Sequence, residues 1–198
     1  MKKNSVKWLG CLFSVVFLMI SCAGTEVSQT RVDDSYKGQS VSNILVIAVT
    51  GNEHNRRSYE KKFVARLKSV GVDAIASEEV LPMPPDLQLK KEAILDVVNQ
   101  YKNDAVIITQ LVGKDTDDIY QRGGVTRHGY FGYTRNPGYS STITKVRLET
   151  NLYDAKTGKL IWSGRSKTLS KDSTDRIMND VIKTVIANLK KNKLIAPK

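Results

Sequence analysis

The sequence predicts one α/β (α+β) sandwich, a mixed sheet of about five strands packed by three helices. Three observations carry that expectation. Residues 43–50 (NILVIAVT) and 104–113 (DAVIITQLVG) are nearly unbroken β-branched and apolar runs, the pattern of strands covered on both faces. Stretches of helical period lie between and after them. An alternating strand, a tight turn and a return strand mark an antiparallel hairpin. The composition agrees: of 198 residues, 40% are hydrophobic, 7% aromatic and 26% charged. That excludes collagen, a disordered tail and a multi-span membrane protein.

The expected order is β-α-β-α-β, a loop or ribbon, then β-β-α. After the first strand, Gly51 and Asn52 break the chain. A helix then begins at about Asn55 or Ser58, with Tyr59, Phe63, Leu67 and Val70 on one face and Gly71 stopping it. Residues 72–77 make a short strand. Pro82, Pro84 and Pro85 follow, and Asp86 is placed to cap a second helix whose core face is Leu89, Ala93, Ile94, Val97, Val98 and Tyr101. The apolar run 104–113 is the third strand. In the hairpin, Thr142, Thr144, Val146, Leu148, Thr150 and Leu152 alternate with Lys145, Arg147, Glu149 and Asn151. Asp154 to Gly158 supply the turn, and the return strand carries Leu160 and Trp162. A last helix spans about 173–191, with Ile177, Val181, Val185 and Leu189 as its stripe.

The N-terminus reads as an address. Lys2, Lys3 and Lys7 precede a short apolar stretch, Trp8 to Ile20, which matches a secretory signal better than a membrane span. Met19-Ile20-Ser21-Cys22 resembles the bacterial lipobox, with Met19 in place of the usual leucine. That resemblance implies cleavage after residue 21 and acylation of Cys22. The cysteine count supports it: Cys11 lies in the discarded segment, so Cys22 is the one cysteine of the mature chain. Ala23 is not aspartate, which by the sorting rule of such lipoproteins implies a lipid-anchored, periplasm-facing protein of the outer membrane. Residues 22–42 are then the acylated cysteine and a polar, flexible tether of roughly 25 Å. Residues 43–198 form the single domain, with a Gly/Tyr-rich insertion at 114–141.

The stretch VRLETNLYDAKTGKLIWSGRSKTLS with a following amphipathic helix resembles a group of small bacterial lipoproteins without a defined activity. Their fold is similar to the periplasmic domains of the curli-secretion lipoprotein, the penicillin-binding-protein activator lipoproteins and the N-terminal domain of TolB. The shared elements here are Leu152-Tyr153-Asp154, the Gly158 turn and Leu160-Ile161-Trp162, over roughly residues 42–195. These are structural motifs. The resemblance implies a non-enzymatic envelope module that binds or scaffolds, and it brings no catalytic residue.

Nothing in the residues points to catalysis, a metal or a cofactor. His54 and His128 fall in expected loops, and a zinc site needs three or four protein ligands. HExxH, GxSxG, CxxC and P-loop patterns are missing. Asp115, Asp117 and Asp118 lack the spacing and central glycine of a calcium loop and read as a solvated strand exit. Residues 51–54 (GNEH) could cradle an anion at a helix start, but with one glycine a simple loop is the plainer reading.

The informative segment runs from Tyr120 to Tyr139. It combines aromatics, arginines and glycines and contains no acid. Tyr and Arg dominate interface hot spots, which makes Arg122, Arg127, Tyr130, Phe131, Tyr133, Arg135 and Tyr139 the candidate partner-binding residues. The segment also fits a β-ribbon continuing its neighbours, which is compatible with binding. The formal net charge is +11, and loss of the three signal lysines lowers it to +8. In an exported protein such charge meets envelope polyanions, and nucleic acid is not expected. A hairpin symmetric about Lys156 sets Arg147 opposite Arg165 and Lys145 opposite Lys167. These four are the candidate anion-facing residues, because opposed like charges destabilise a sheet unless solvated or neutralised. The expected function is therefore a membrane-anchored, non-catalytic accessory or scaffold subunit that binds another envelope protein. The alternative is a module for an anionic envelope polymer such as peptidoglycan or lipopolysaccharide.

Overall fold

The computed structural model describes residues 25–36, 39–121, 124–128, 132–136, 139–170 and 173–195. Among these described residues there are eight strands: β1 (Glu26–Val32), β2 (Asn43–Val49), β3 (Asp73–Ala76), β4 (Ala105–Gln121), β5 (Gly124–His128), β6 (Gly132–Asn136), β7 (Tyr139–Asp154) and β8 (Leu160–Ser170). The helices are α1 (Glu53–Lys68), α2 (Lys91–Tyr101) and α3 (Thr174–Lys191). Six strands form one sheet in the order β1-β8-β7-β4-β2-β3, and β5 and β6 form a separate pair. β2 runs parallel to β3 and β4, and the other pairings are antiparallel. The expected α/β class and mixed sheet hold, and the five expected strands all take part.

The sixth strand of the sheet is a correction. Residues 26–32 fall within the expected tether, yet they pair with β8, with Val27 opposite Ser166 and Val32 opposite Trp162. The segment EVSQTRV has only two strongly apolar residues, so its own pattern is weak. An edge strand with one buried face needs few anchors, and both Val27 and Val32 pack against the core.

The buried runs are sandwiched as expected. Ile44, Val46 and Ala48 of β2 and Ala105 and Ile107 of β4 join the cluster under α1 and α3. Leu45, Ile47 and Val106 join the cluster under α2. Helix α1 starts two residues earlier than the first expected position, because Asn52 accepts a hydrogen bond from the Asn55 N–H at 2.9 Å. It ends as expected near Gly71, whose φ is +81°. Helix α2 starts later than expected. The Asp86 carboxylate caps a local turn by accepting from the Gln88 N–H, leaving Leu89 before the helix and Tyr101 exposed at its end.

The β7–β8–β1 half of the sheet is covered on one face by α3. Trp162 is fully buried there and donates its indole N–H to Asn188 of α3 at 3.1 Å. Its ring lies over Gly164, where an added Cβ would stand 2.5 Å from the indole Cη2. Asp154 organises the preceding turn by accepting from both the N–H and the hydroxyl of Thr157, and Gly158 takes a φ of +69°.

The hairpin register differs from the symmetric one. Leu152 faces Trp162 while Tyr153 faces Leu160, so Ile161 is the extra residue of a bulge. The bulge turns consecutive residues, Ile161 and Trp162, into the same core cluster. It also moves every later pair by one step. Gly164→Ala should therefore cost about 1–3 kcal/mol, because the indole must leave its seat. Denaturant unfolding checks this, and Trp162 fluorescence should shift with the loss.

Candidate functional site: one end of the sheet

The ribbon is built by two strands that outrun their neighbours. β4 and β7 pair from Ala105↔Asp154 to Gln121↔Tyr139, whereas β2 last pairs β4 at Gln110 and β8 last pairs β7 at Thr144. From Gln110 to Gln121, β4 extends about 37 Å beyond β2 at about 3.4 Å per residue. β5 and β6 then form their own pair, with Val125 opposite Arg135 and Arg127 opposite Tyr133. Of the expected contact residues, Arg127, Tyr133, Arg135 and Tyr139 thus lie on strands. Arg122, Tyr130, Phe131 and the expected lipidation site Cys22 lie outside the described residues.

The four expected anion-facing residues occupy a different setting from the one their sequence order suggests. With the bulge in place, Arg165 faces Glu149, Arg147 faces Lys167 and Lys145 faces Leu169. Arg165 donates to the Glu149 carboxylate at 2.8 Å, and this hydrogen bond holds that carboxyl below its ordinary range. Arg147 reaches Asp115 at 3.0 Å, its guanidinium lying over Gly113 at the β4 bulge. Lys167 is flanked across the sheet by Glu26 and Arg147. Arg147 and Lys167 remain an opposed pair of cations, but Asp115 and Glu149 set acids among the four. The expected Arg147–Arg165 and Lys145–Lys167 opposition does not occur.

At the base of the ribbon the same end of the sheet holds a cleft of about 250 Å³. Ala48, Val49, Leu111, Val146, Leu148, Ile177 and Met178 supply its apolar wall, and Thr50, Asn55, Gln110, Lys114 and Thr174 its polar rim. Its position is where open α/β sheets bind ligands, outside the carboxyl ends of parallel strands. Tyr59 and Thr109 also line it, joined in a chain: Tyr59 Oη to Thr109 Oγ1 at 3.1 Å and Thr109 Oγ1 to Thr150 Oγ1 at 3.1 Å. Burial pushes the Tyr59 phenol well up, so it stays neutral.

A buried ion pair holds the wall in place. Glu60, on α1, accepts from the Ala48 N–H at 2.8 Å, from Arg56 Nε at 3.2 Å and from the Ser77 hydroxyl at 2.9 Å. Its other oxygen accepts from the Glu78 N–H at 2.7 Å. Arg56 donates onward to Ser77 and to the Leu81 carbonyl. Desolvation raises the Glu60 carboxyl, and the hydrogen bonds from Ala48, Glu78 and Ser77 and the Arg56 charge oppose it. Sequence reasoning missed this pair. The signal was present, since Arg56 and Glu60 share the helical stripe of Tyr59, Phe63 and Leu67.

The remaining sequence candidates stay apart. His54 is exposed at the start of α1, and the N-terminus there is occupied by its own Asn52 cap. Asp115 is engaged by Arg147. Among the described residues no three His, Cys, Asp or Glu side chains come together as a metal site would require.

No protein-family model matches the chain, and no curated protein matches it in sequence. Solved structures similar to it include the PelC dodecamer from Paraburkholderia phytofirmans, at 11% identity and a TM-score of 0.46 over 86% of this chain and 96% of that one. The lipoprotein GNA1162 from Neisseria meningitidis matches at 15% identity and a TM-score of 0.44, over 76% and 99%. The hypothetical protein CT253 from Chlamydia trachomatis matches at 8% identity and a TM-score of 0.42, over 77% and 98%. All three TM-scores lie below 0.5, so function must be sought in the chain's own residues.

Two outcomes follow from the ion pairs. Replacing Arg147 and Arg165 together by Gln should lower stability slightly, by about 0.2–1 kcal/mol per exposed pair, when unfolding is measured in denaturant at neutral pH. Glu149 is held below its unfolded value, so its contribution is present above the ordinary glutamate range and disappears as pH falls through the lowered value. The Arg165 part of the loss should fade in acid. Glu60→Gln should cost far more, about 3–5 kcal/mol, because it removes the buried counter-charge of Arg56 and leaves it only the exposed Glu53 at 3.7 Å. Thermal unfolding of that variant is the check.

Proposed function

We propose that this protein is a lipid-anchored envelope lipoprotein acting as a non-catalytic accessory subunit, and that its β4–β7 ribbon engages another envelope protein. The observation that carries the reading is the ribbon itself. Two strands run on well past the sheet and lead into β5 and β6, and the outer part of this ribbon, Tyr120 to Tyr139, is rich in Tyr, Arg and Gly and free of acids. Of the four cations behind the polymer alternative, Arg147 and Arg165 pair with Asp115 and Glu149, so the ribbon is the better-supported reading.

The anchor adds a direction. β1 starts at Glu26, at the level of Lys167, Arg147 and Gly113 across the sheet, and β1 runs antiparallel to β4. Its start therefore lies at the end of the sheet from which the ribbon leaves. With the strand holding the chain from residue 26, only Ala23, Gly24 and Thr25 separate it from Cys22, a leash of about 14 Å at most. From Gly113 to Gln121 the ribbon extends about 27 Å in that same direction. A domain anchored through Cys22 thus turns its ribbon toward the membrane, and the partner it meets is membrane-embedded or membrane-bound.

Two experiments test this. A clickable palmitate analogue fed to producing cells should label the wild-type chain and not Cys22→Ala; label retained in that variant would remove the anchor. Mild in-cell crosslinking of the lipidated chain should capture a discrete membrane protein that is lost when residues 121–139 are deleted. Capture that survives the deletion would take the contact away from the ribbon.

A further inference from the structure

We propose that the cleft at the ribbon's base is a binding site for a single-chain anionic amphiphile, a fatty-acid-like carboxylate whose chain enters between β4, β7 and α3 while its head rests at Lys114. The site does not depend on the ribbon's partner or on acylation of Cys22.

The walls argue for the chain. Seven apolar side chains line a space of about 250 Å³. The hydroxyls at its floor are already spent on one another, through Tyr59, Thr109 and Thr150. A sugar or peptide would find few unmet partners there, whereas methylenes need none. The lip points the same way. Among the described residues three large apolar side chains are exposed, and two of them, Leu111 (53% exposed) and Val112 (44%), adjoin at the β4 bulge beside the cleft. Isolated exposed apolar residues are ordinary, but a pair at the mouth of an apolar cleft marks a place where apolar matter lands.

The rim argues for the charge. Lys114 is the cation of the lining, and no lining residue is acidic. The acids next to lining residues in the chain are engaged with other cations: Asp115 with Arg147 at 3.0 Å, Glu149 with Arg165 at 2.8 Å, Glu60 with Arg56 at 3.2 Å and Asp175 with Lys62 at 2.8 Å. The volume falls below the range of about 300–1,000 Å³ typical of drug-sized sites, which suits one short chain and not a two-chain lipid.

The test uses the full chain in membranes from producing cells and a ten-carbon carboxylate carrying a photoreactive diazirine on its chain. Peptide mapping should place the label on the segments containing Leu111, Val146, Leu148 or Met178. Unlabelled decanoate should displace it about 15-fold better than octanoate, the factor expected for two more buried methylenes, and clearly better than decanol, which lacks the charge. Leu148→Trp, which fills the cleft with apolar volume, should abolish the label, and Lys114→Gln should erase the advantage of decanoate over decanol. Label outside these segments, no dependence on chain length, or equal competition by decanol in the wild-type chain would each overturn the proposal. The competition series reads the wild-type protein, so the conclusion stands even where the filling variant fails to fold.

Discussion

The Glu60 carboxylate, buried where α1 crosses the end of β2, ties three separate stretches of the chain together. One oxygen receives the β2 backbone at Ala48, its own helix at Arg56 and the post-β3 turn at Ser77, and the other receives the Glu78 N–H. A buried charge is costly unless its hydrogen bonds and counter-charge are all in place, and here they come from three separate stretches of chain. The parallel strands, the crossover helix and the turn after β3 must therefore assemble together. The cleft wall at Ala48 to Thr50 inherits its position from that assembly.

Two bulges then decide what the sheet shows to the outside. The extra residue at Ile161 seats Ile161 and Trp162 in the core and shifts the hairpin so that Arg165 meets Glu149. The extra residue at Val112 exposes Leu111 and Val112 together and lays the Arg147 guanidinium over Gly113, within reach of Asp115. A side-chain period of two makes a sheet unforgiving of one added residue, since every later position changes face or partner. The charge-laced polar face and the apolar lip of the cleft are both products of these bulges.

Much of the functional end was legible in part. The acid-free, aromatic and basic composition of 120–139 singled out the ribbon, and the pairing of β4 with β7 shows how that segment leaves the sheet. The four basic residues of the hairpin were legible as charges but not as partners, because Asp115 lies on β4 and its approach to Arg147 depends on a bulge that leaves no mark in local pattern. The cleft was not legible at all. Its lining comes from β2, α1, β4, β7 and α3, and no stretch of sequence contains more than a few of its residues.

The sequence by itself determined the α/β class, the buried runs of β2 and β4, the stripes of α1 and α3, and the Asp154–Gly158 turn. These depend on periodicity and on local backbone chemistry, which operate over a few neighbouring residues. Tertiary structure alone decided that residues 26–32 join the sheet, since two valines make an edge strand only when β8 offers a partner and α3 a roof. It decided the register of the hairpin and the burial of Arg56 with Glu60. It also brought the start of β1, the ribbon and the cleft to one end of the sheet. These outcomes join residues distant in the chain, and only the closed fold brings such residues within contact.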